Sequence, residues 1–386
     1  MLDPNQIASS EAIRNVNRRI VLNLIRTRHP ISRADLARIS GMQRSTISLI
    51  VDKLIAESWV IEGPTGRLPR GRRPTFLHLN EDRVIVGVDI RPSQTTVSLA
   101  DVNGNFTAQE TFPTPREADV AIATLIKRIK AIIQASENKK IEGVGISVPG
   151  RINRSEGRLV FAPNLKWRDV DLGKPIAKAL GLDVELENAA NACVLAAAWF
   201  DHLEDCKNLV VVTVSEGIGI GIYMNGELAR GHNNMAGEFG HVPIDPKGPM
   251  CTCGSRGCWE IFASNRAAIR YYNEQTQQHH SDRPNFTDLL RLADAGDERA
   301  AKALDTMAHH LGRGMRMIVA GLAPERIIVI GDLTKAWQRF GPVIESEVRA
   351  LVLQGGYPPQ LIPAHEEGMA RLRGTVALVL QKHFGA

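Results

Sequence analysis

The chain has 386 residues, 44% of them hydrophobic and 23% charged, which is the balance of a soluble globular protein with room for two or three domains. It contains no run of about 18 apolar residues, and residues 1–10 lack a basic start ahead of an apolar core; neither a membrane span nor a secretion signal is expected, and the cytoplasm is the expected location. The formal charge of +5 is uneven: residues 1–80 hold 13 Lys or Arg against 6 Asp or Glu, whereas the rest hold 34 against 36.

A basic leading segment on a near-neutral body points to a polyanionic partner for that segment alone. Residues up to about 62 repeat apolar side chains at spacings of three and four and read as helical. Within them, residues 30–41 open with Ser32, which can accept the orphan amide protons of a first helical turn, and close with Gly41, which can take the left-handed conformation that stops a helix. A second helix begins near Gln43 and Arg44, burying Ile47, Ile50 or Val51, and Leu54, and presenting Arg44, Ser45, Ser48 and Asp52 on its other face. Two short helices about a tight turn form a helix-turn-helix, whose second member lies in the major groove of DNA. Arg44 then reaches guanine edges, and Ser45, Thr46 and Ser48 suit phosphate or base contacts. A plain helical hairpin with a solvated polar face is the alternative.

Residues 63–74 hold three Gly, three Pro, four Arg and no acid, a composition that cannot build a core and reads as a mobile basic loop. Between strands at 60–61 and 75–79 it is the wing of a winged helix, placing Arg70, Arg72 and Arg73 in a minor groove or on phosphates; a flexible linker is the other reading. Residues 1–80 thus form a DNA-binding domain, and a second domain runs from 83 to 386. In that second domain strands at 84–90, 143–148, 209–214 and 326–330 alternate with helices at 118–135 and 189–200, an α/β pattern without a fixed-period repeat.

Cysteines occur at 193, 206, 251, 253 and 258, three of the five within eight residues. In a cytosolic protein such clustering reads as metal binding before disulfide bonding. His241 with Cys251, Cys253 and Cys258 makes a closed set of one imidazole and three thiols, suited to tetrahedral zinc in a structural role, since no coordination position stays open. Reduced cysteines beside a core histidine are the alternative. Cys193 and Cys206 stand alone and read as buried.

The segments from Gly237 to His241 and from Cys251 to Glu260 resemble the zinc and sugar motif of the ROK family (repressor, open-reading-frame, kinase), and the resemblance covers nearly the whole chain. Val148-Pro149-Gly150, Ala162-Pro163-Asn164-Leu165 with Trp167, Glu187-Asn188 and Gly217-Ile218-Gly219 also match. Ile31-Ser32-Arg33-Ala34-Asp35-Leu36 and Gly71-Arg72-Arg73-Pro74 are similar to the winged helix-turn-helix of the family's regulators, nearest the xylose-repressor-like branch. The resemblance implies a two-lobed actin-like or ribonuclease-H-like sugar-kinase fold and a homodimer or tetramer on palindromic operators. It also implies sugar contacts at Asn188, Glu238, His241 and Glu260, with Gly150 and Asn164 beside them. Carboxylates and an amide pair naturally with neighbouring sugar hydroxyls, and His241 can hold zinc by one ring nitrogen while offering the other. Read without the resemblance, Glu238 and Glu260 are also compatible with plain surface charges.

The departures from the family's kinases bear on activity. Those kinases carry an Asp general base directly after the Glu-Asn pair; here the position is Ala189, and a methyl group takes no proton. Their first phosphate loop, Asp-x-Gly-x-Thr, reads here Asp89-Ile90-Arg91-Pro92-Ser93-Gln94-Thr95, where Arg91 and Pro92 add bulk and remove an amide donor. Glu216 replaces a small hydroxyl residue in the second loop; two like charges 4 Å apart repel by roughly 4 kcal/mol at an effective dielectric of about 20. Ile330-Gly331-Asp332 replaces part of a Gly-rich adenosine-side segment. The expectation is a sugar-responsive repressor without kinase activity. An active sugar kinase with an appended DNA-binding domain, and a repressor controlled by a sugar-transport protein, are the alternatives.

Overall fold

The computed structural model describes residues 10–65, 74–137, 139–201, 203, 206–276, 284–350, 356–364 and 367–385. The chain opens with α1 (Ser10–Thr27), β1 (Ile31–Ser32), α2 (Arg33–Ser40), α3 (Arg44–Ala56), β2 (Val60–Thr65) and β3 (Thr75–Leu79). Ser32 caps α2 in a reciprocal box with Asp35, and Gly41 ends it at φ 71°, a backbone state that costs glycine nothing. Along α3 it is Ile47, Val51 and Leu54 that are buried, with Ile50 only half covered. Arg33 ties the unit together, pairing with Asp52 at 2.7 Å and Glu62 at 3.0 Å.

The three strands pair in the order β1-β3-β2, giving a winged helix-turn-helix head. Two details differ from the sequence reading. Ile31–Ser32 forms a short strand where only helix was expected, because Ile31 is buried against Leu77 of β3. The strand before the wing also runs on to Thr65, with an irregularity in register between Glu62 and Thr65; Arg70, Arg72 and Arg73 lie outside the described residues.

The first lobe of the body contains β4 (Arg83–Ile90), β5 (Gln94–Asp101), β6 (Phe106–Pro113), α4 (Ala118–Gln134), β7 (Lys140–Val148), the small sheet β8 (Arg151–Asn153), β9 (Arg158–Ala162) and β10 (Trp167–Asp171), then α5 (Gly173–Leu180) and β11 (Val184–Asn188). Helix α6 (Ala189–Phe200) leads to the second lobe: β12 (Leu209–Val214), β13 (Ile218–Met224), β14 (Glu227–Leu228), α7 (Trp259–Ala263), α8 (Asn265–Thr276), α9 (Phe286–Asp294), α10 (Glu298–Leu322), β15 (Arg326–Ile330), α11 (Trp337–Arg349) and β16 (Gln360–Ala364). The final helix, α12 (Glu367–Phe384), returns to the first lobe.

The main sheets have the orders β11-β7-β4-β5-β6 and β14-β13-β12-β15-β16. In each, the first strand pairs antiparallel with the second and parallel with the fourth. The same strand order therefore occurs twice, which defines the two-lobed actin-like, ribonuclease-H-like architecture. The repeat is one of topology, which is why no residue period betrays it.

Helices α6 and α12 pack on each other between the lobes. Gly374 of α12 lies so near the Ala192 carbonyl that a Cβ there would overlap it, and Gly221 of β13 lies as near the carbonyl of Ala190. The head's apolar core, including Leu22, Ile25, Leu54 and Trp59, is continuous with Trp199 of α6 and Leu380 and Phe384 of α12. Among the described residues no helix is long and apolar enough to cross a membrane.

Candidate functional site

A cleft of about 630 Å³ separates the lobes. On its second-lobe side a 3-10 turn over Glu238–His241 is followed by the cysteine loop, and α7 begins just after Cys258. Gly257 makes that loop possible: its φ is 65° and a Cβ would overlap the carbonyl of Asp245. The donor atoms of His241, Cys251, Cys253 and Cys258 all lie within 4.8 Å of one another. Cys253 and Cys258 sulfurs are 3.6 Å apart, as are Cys251 Sγ and His241 Nδ1. A tetrahedral ion with bonds of about 2.3 Å to sulfur and 2.0 Å to nitrogen requires separations of about 3.5–3.8 Å. The four residues can hold a metal ion.

Burial lifts the Cys258 thiol to about 11. Burial acts the same way on Cys253, but hydrogen bonds from the Ser255 backbone and the Cys258 thiol outweigh it and bring that thiol down to about 7. A bound divalent ion favours every thiolate in the set.

His241 turns Nδ1 toward the sulfurs and Nε2 toward Glu238, whose Oε2 is 3.8 Å away. Burial raises the Glu238 carboxyl, against the pull of His241 and Arg151. Glu260 lies between metal cluster and cleft: Oε1 is 3.2 Å from Cys251 Sγ, and Oε2 accepts from the Ile218 amide at 3.3 Å. Gly217 gives it room, since a Cβ there would come within 2.5 Å of that carboxylate. Glu238, His241 and Glu260, predicted from sequence, thus meet on one wall of the cleft.

On the opposite wall Asn188 caps α6, accepting from the Ala190 amide at 2.8 Å while its Nδ2 donates to the Gly150 carbonyl at 2.7 Å. Its side chain is already engaged at both ends, as is the Gly150 carbonyl at one lone pair. Asn164 accepts from Arg266 Nη2 at 3.2 Å, a bond that crosses from the β9–β10 loop to α8. Ala189 lines the cleft at the start of α6.

Sequence reasoning gave no site role to Glu187. It is fully buried, accepts from Arg230 at 2.9 Å and Asn191 at 3.0 Å, and also lines the cleft. Removing one partner of such a buried pair typically costs about 3–5 kcal/mol. Its partner Arg230 is 43 residues along the chain, so no local pattern announces the pair.

Glu216 and Arg266 of the cleft lining form an ion pair, and a second pair stands at the end of β4. Arg91 Nε bonds buried Asp89 at 2.7 Å, and Arg266 Nε bonds Glu216 at 2.7 Å. Pro92 follows Arg91 in a turn closed from the Arg91 amide to the Gln94 carbonyl. Gly219 and Gly221 face α6 closely, consistent with a tightly packed strand. In the head, Arg44 and Ser45 are exposed and Thr46 and Ser48 half-buried along the outer face of α3.

A family model described as ROK family matches residues 85–382. The chain belongs to the ROK family. The Xylose repressor of Bacillus subtilis (strain 168) is 32% identical to it over 383 residues, 98% of either chain. A solved ROK family transcriptional regulator, described as a homologue of the E. coli MLC protein, superposes with a TM-score of 0.81 at 25% identity, covering 97% of this chain and 100% of its own. A ROK family glucokinase from Streptomyces griseus, solved with glucose and AMPPNP, superposes with a TM-score of 0.67 at 28% identity, covering 76% of this chain and 98% of its own. Both regulators are matched at nearly full length, the kinase over three quarters of this chain.

Proposed function

We propose that this protein is a sugar-responsive transcriptional repressor whose head holds operator DNA until a sugar enters the cleft. One observation carries the reading: Glu238, His241 and Glu260 converge in the cleft beside a complete metal-ligand set, while Glu216 of the same cleft is taken up by an ion pair with Arg266. Full-length similarity to named regulators supports it. The metal is zinc, held by His241, Cys251, Cys253 and Cys258 in a structural role. With such an ion held there, His241 would keep Nε2 toward the sugar and the cysteine loop would hold Glu260 in place.

Glu238, His241, Glu260 and Asn188 bind the sugar hydroxyls, with Gly150 and Asn164 at the edge; the Asn188 amide, which also caps α6, offers its second N–H and its second Oδ1 lone pair. The chain does not phosphorylate the sugar, since Ala189 offers no base and Pro92 has no amide to give a phosphate. Arg44, Ser45, Thr46 and Ser48 meet the major groove, and Arg70, Arg72 and Arg73 the backbone or minor groove. A homodimer sets two heads on the half-sites of a palindromic operator, in the cytoplasm.

Sugar binding favours a lobe arrangement in which the heads no longer match those half-sites. A hundredfold release requires about 2.7 kcal/mol tighter sugar binding to the released form. The test titrates a selected operator duplex bound to the full-length protein with D-xylose, D-glucose, N-acetylglucosamine and their phosphates. Release by one of them at saturation is expected; operator binding indifferent to every one removes the inducer role.

A further inference from the structure

The head is joined to the two lobes in unequal ways. To the first lobe it is bolted by Arg83 of β4. That guanidinium is buried, donates to the carbonyls of Glu57 and Ser58 at the end of α3, pairs with Glu142 of β7, and lies 4.0 Å from the centre of the Trp59 ring. Trp59 packs in turn against His383 and Phe384 at the end of α12. Toward the second lobe the head reaches through α1. Arg26 Nη1 donates to the Trp199 carbonyl, at the end of α6, at 2.7 Å, with its guanidinium 4.5 Å from the Trp199 ring centre.

Asn23, one turn earlier on α1, donates to the Phe384 carbonyl of α12 at 2.9 Å and accepts from Arg26 Nε at 3.4 Å. A continuous hydrogen-bonded bridge therefore runs from the end of α12 through Asn23 and Arg26 to the end of α6. The opposite ends of both helices reach the cleft, where Ala189 and Asn191 of α6 and Arg371 of α12 line it. Helix α6 packs on β13 of the second lobe, α12 on β4 and β7 of the first.

From this placement we infer that Arg26 is the positioning residue through which the head reads the angle between the lobes. When the cleft changes shape, α6 moves against α12. The head rides with the first lobe on Arg83, so the displacement of Trp199 is felt at Arg26, which turns α1 and with it α3. Arg26 touches neither the cleft nor the outer face of α3, so its role is separable from both binding events. The inference rests on the cleft being the effector site.

The test uses full-length protein loaded with zinc. Calorimetry with D-xylose, D-glucose and N-acetylglucosamine is combined with amide hydrogen exchange over residues 10–27 and with operator release, for the wild type, Arg26→Ala and Arg26→Lys. In the wild type, sugar is expected to change exchange across α1. In Arg26→Ala, sugar and operator each bind within about threefold of wild type, but sugar-driven release falls about tenfold or more and α1 no longer responds. Arg26→Lys, which can still donate to the Trp199 carbonyl, restores part of the release. A sugar that binds the wild type without altering exchange in α1, or an Arg26→Ala protein released as wild type is, overturns the inference while leaving the effector site standing. No binding by any sugar overturns both. Should Arg26→Ala fail to fold, the wild-type exchange pattern and Arg26→Lys decide.

Discussion

In one part of the cleft Glu238 and Glu260 gather around His241 and three cysteines, four metal-ligand side chains with spacing that suits a tetrahedral ion. Elsewhere in its lining Arg266 is paired with Glu216 and Ala189 presents only a methyl group, while Arg91 is paired with buried Asp89 at the end of β4. Both parts are carried by lobes that share one strand order. The difference lies in the side chains: one part of the cleft gathers carboxylates and an imidazole, the other carries an ion pair and a methyl group. On the proposed reading, binding and chemistry are separable properties of one scaffold.

The largest effect is expected at the metal. Cys258→Ser should release zinc, lower the melting temperature by about 10 °C or more, and abolish sugar binding, because the loop that presents Glu260 loses its anchor. Metal content by mass spectrometry and a melting curve check this; unchanged sugar affinity without zinc would separate the metal from the sugar wall.

Next comes Glu238→Ala, which removes a charged hydrogen-bond acceptor worth about 1.5–3 kcal/mol and should weaken sugar about ten- to hundredfold in calorimetry without changing stability much. A smaller effect lies outside both parts of the cleft, at the junction with the head. Burial, then the charges of Arg83, Arg18, Lys382 and Lys140, push His383 down to about 4. A histidine held neutral in this way contributes stability that is complete above its ordinary value near 6.5 and lost as the pH falls toward 4; with the ring partly solvated the loss is about 1 kcal/mol. Chemical denaturation at pH 7 and pH 5 should differ in that direction, and His383→Gln should flatten the difference. Least of all is expected from Ala189→Asp. A base is restored, but the Pro92 turn and Glu216 remain, so ATP turnover should stay at background; turnover from this one change would mean that the cleft admits a nucleotide after all.

What the sequence made legible was local. The bounds 189–200 for α6, 209–214 for β12 and 326–330 for β15 follow from predominantly apolar runs flanked by polar residues. The Ser32–Asp35 box and Gly41 mark α2 because capping is a matter of three or four neighbours. The metal set is legible because three of its ligands fall in one loop. The hidden features are those made between distant segments. Arg266 meets Asn164 across 102 residues and Arg26 meets Trp199 across 173, and neither an arginine on a helix nor a carbonyl at a helix end advertises its partner. The short strand at Ile31 depends on Leu77 in the same way. The cap that the Asn188 side chain places on α6 was open to sequence reasoning too, because an asparagine ahead of an alanine-rich helix is itself a strong cap.

The most direct single measurement follows sugar and nucleotide in one sample. The zinc-loaded full-length chain is incubated with a binding sugar and magnesium ATP, and bound sugar, ADP and sugar phosphate are quantified together. Saturable sugar binding with no ADP beyond the buffer control is the predicted result. ADP formed in step with sugar phosphate, over repeated turnovers, would contradict it.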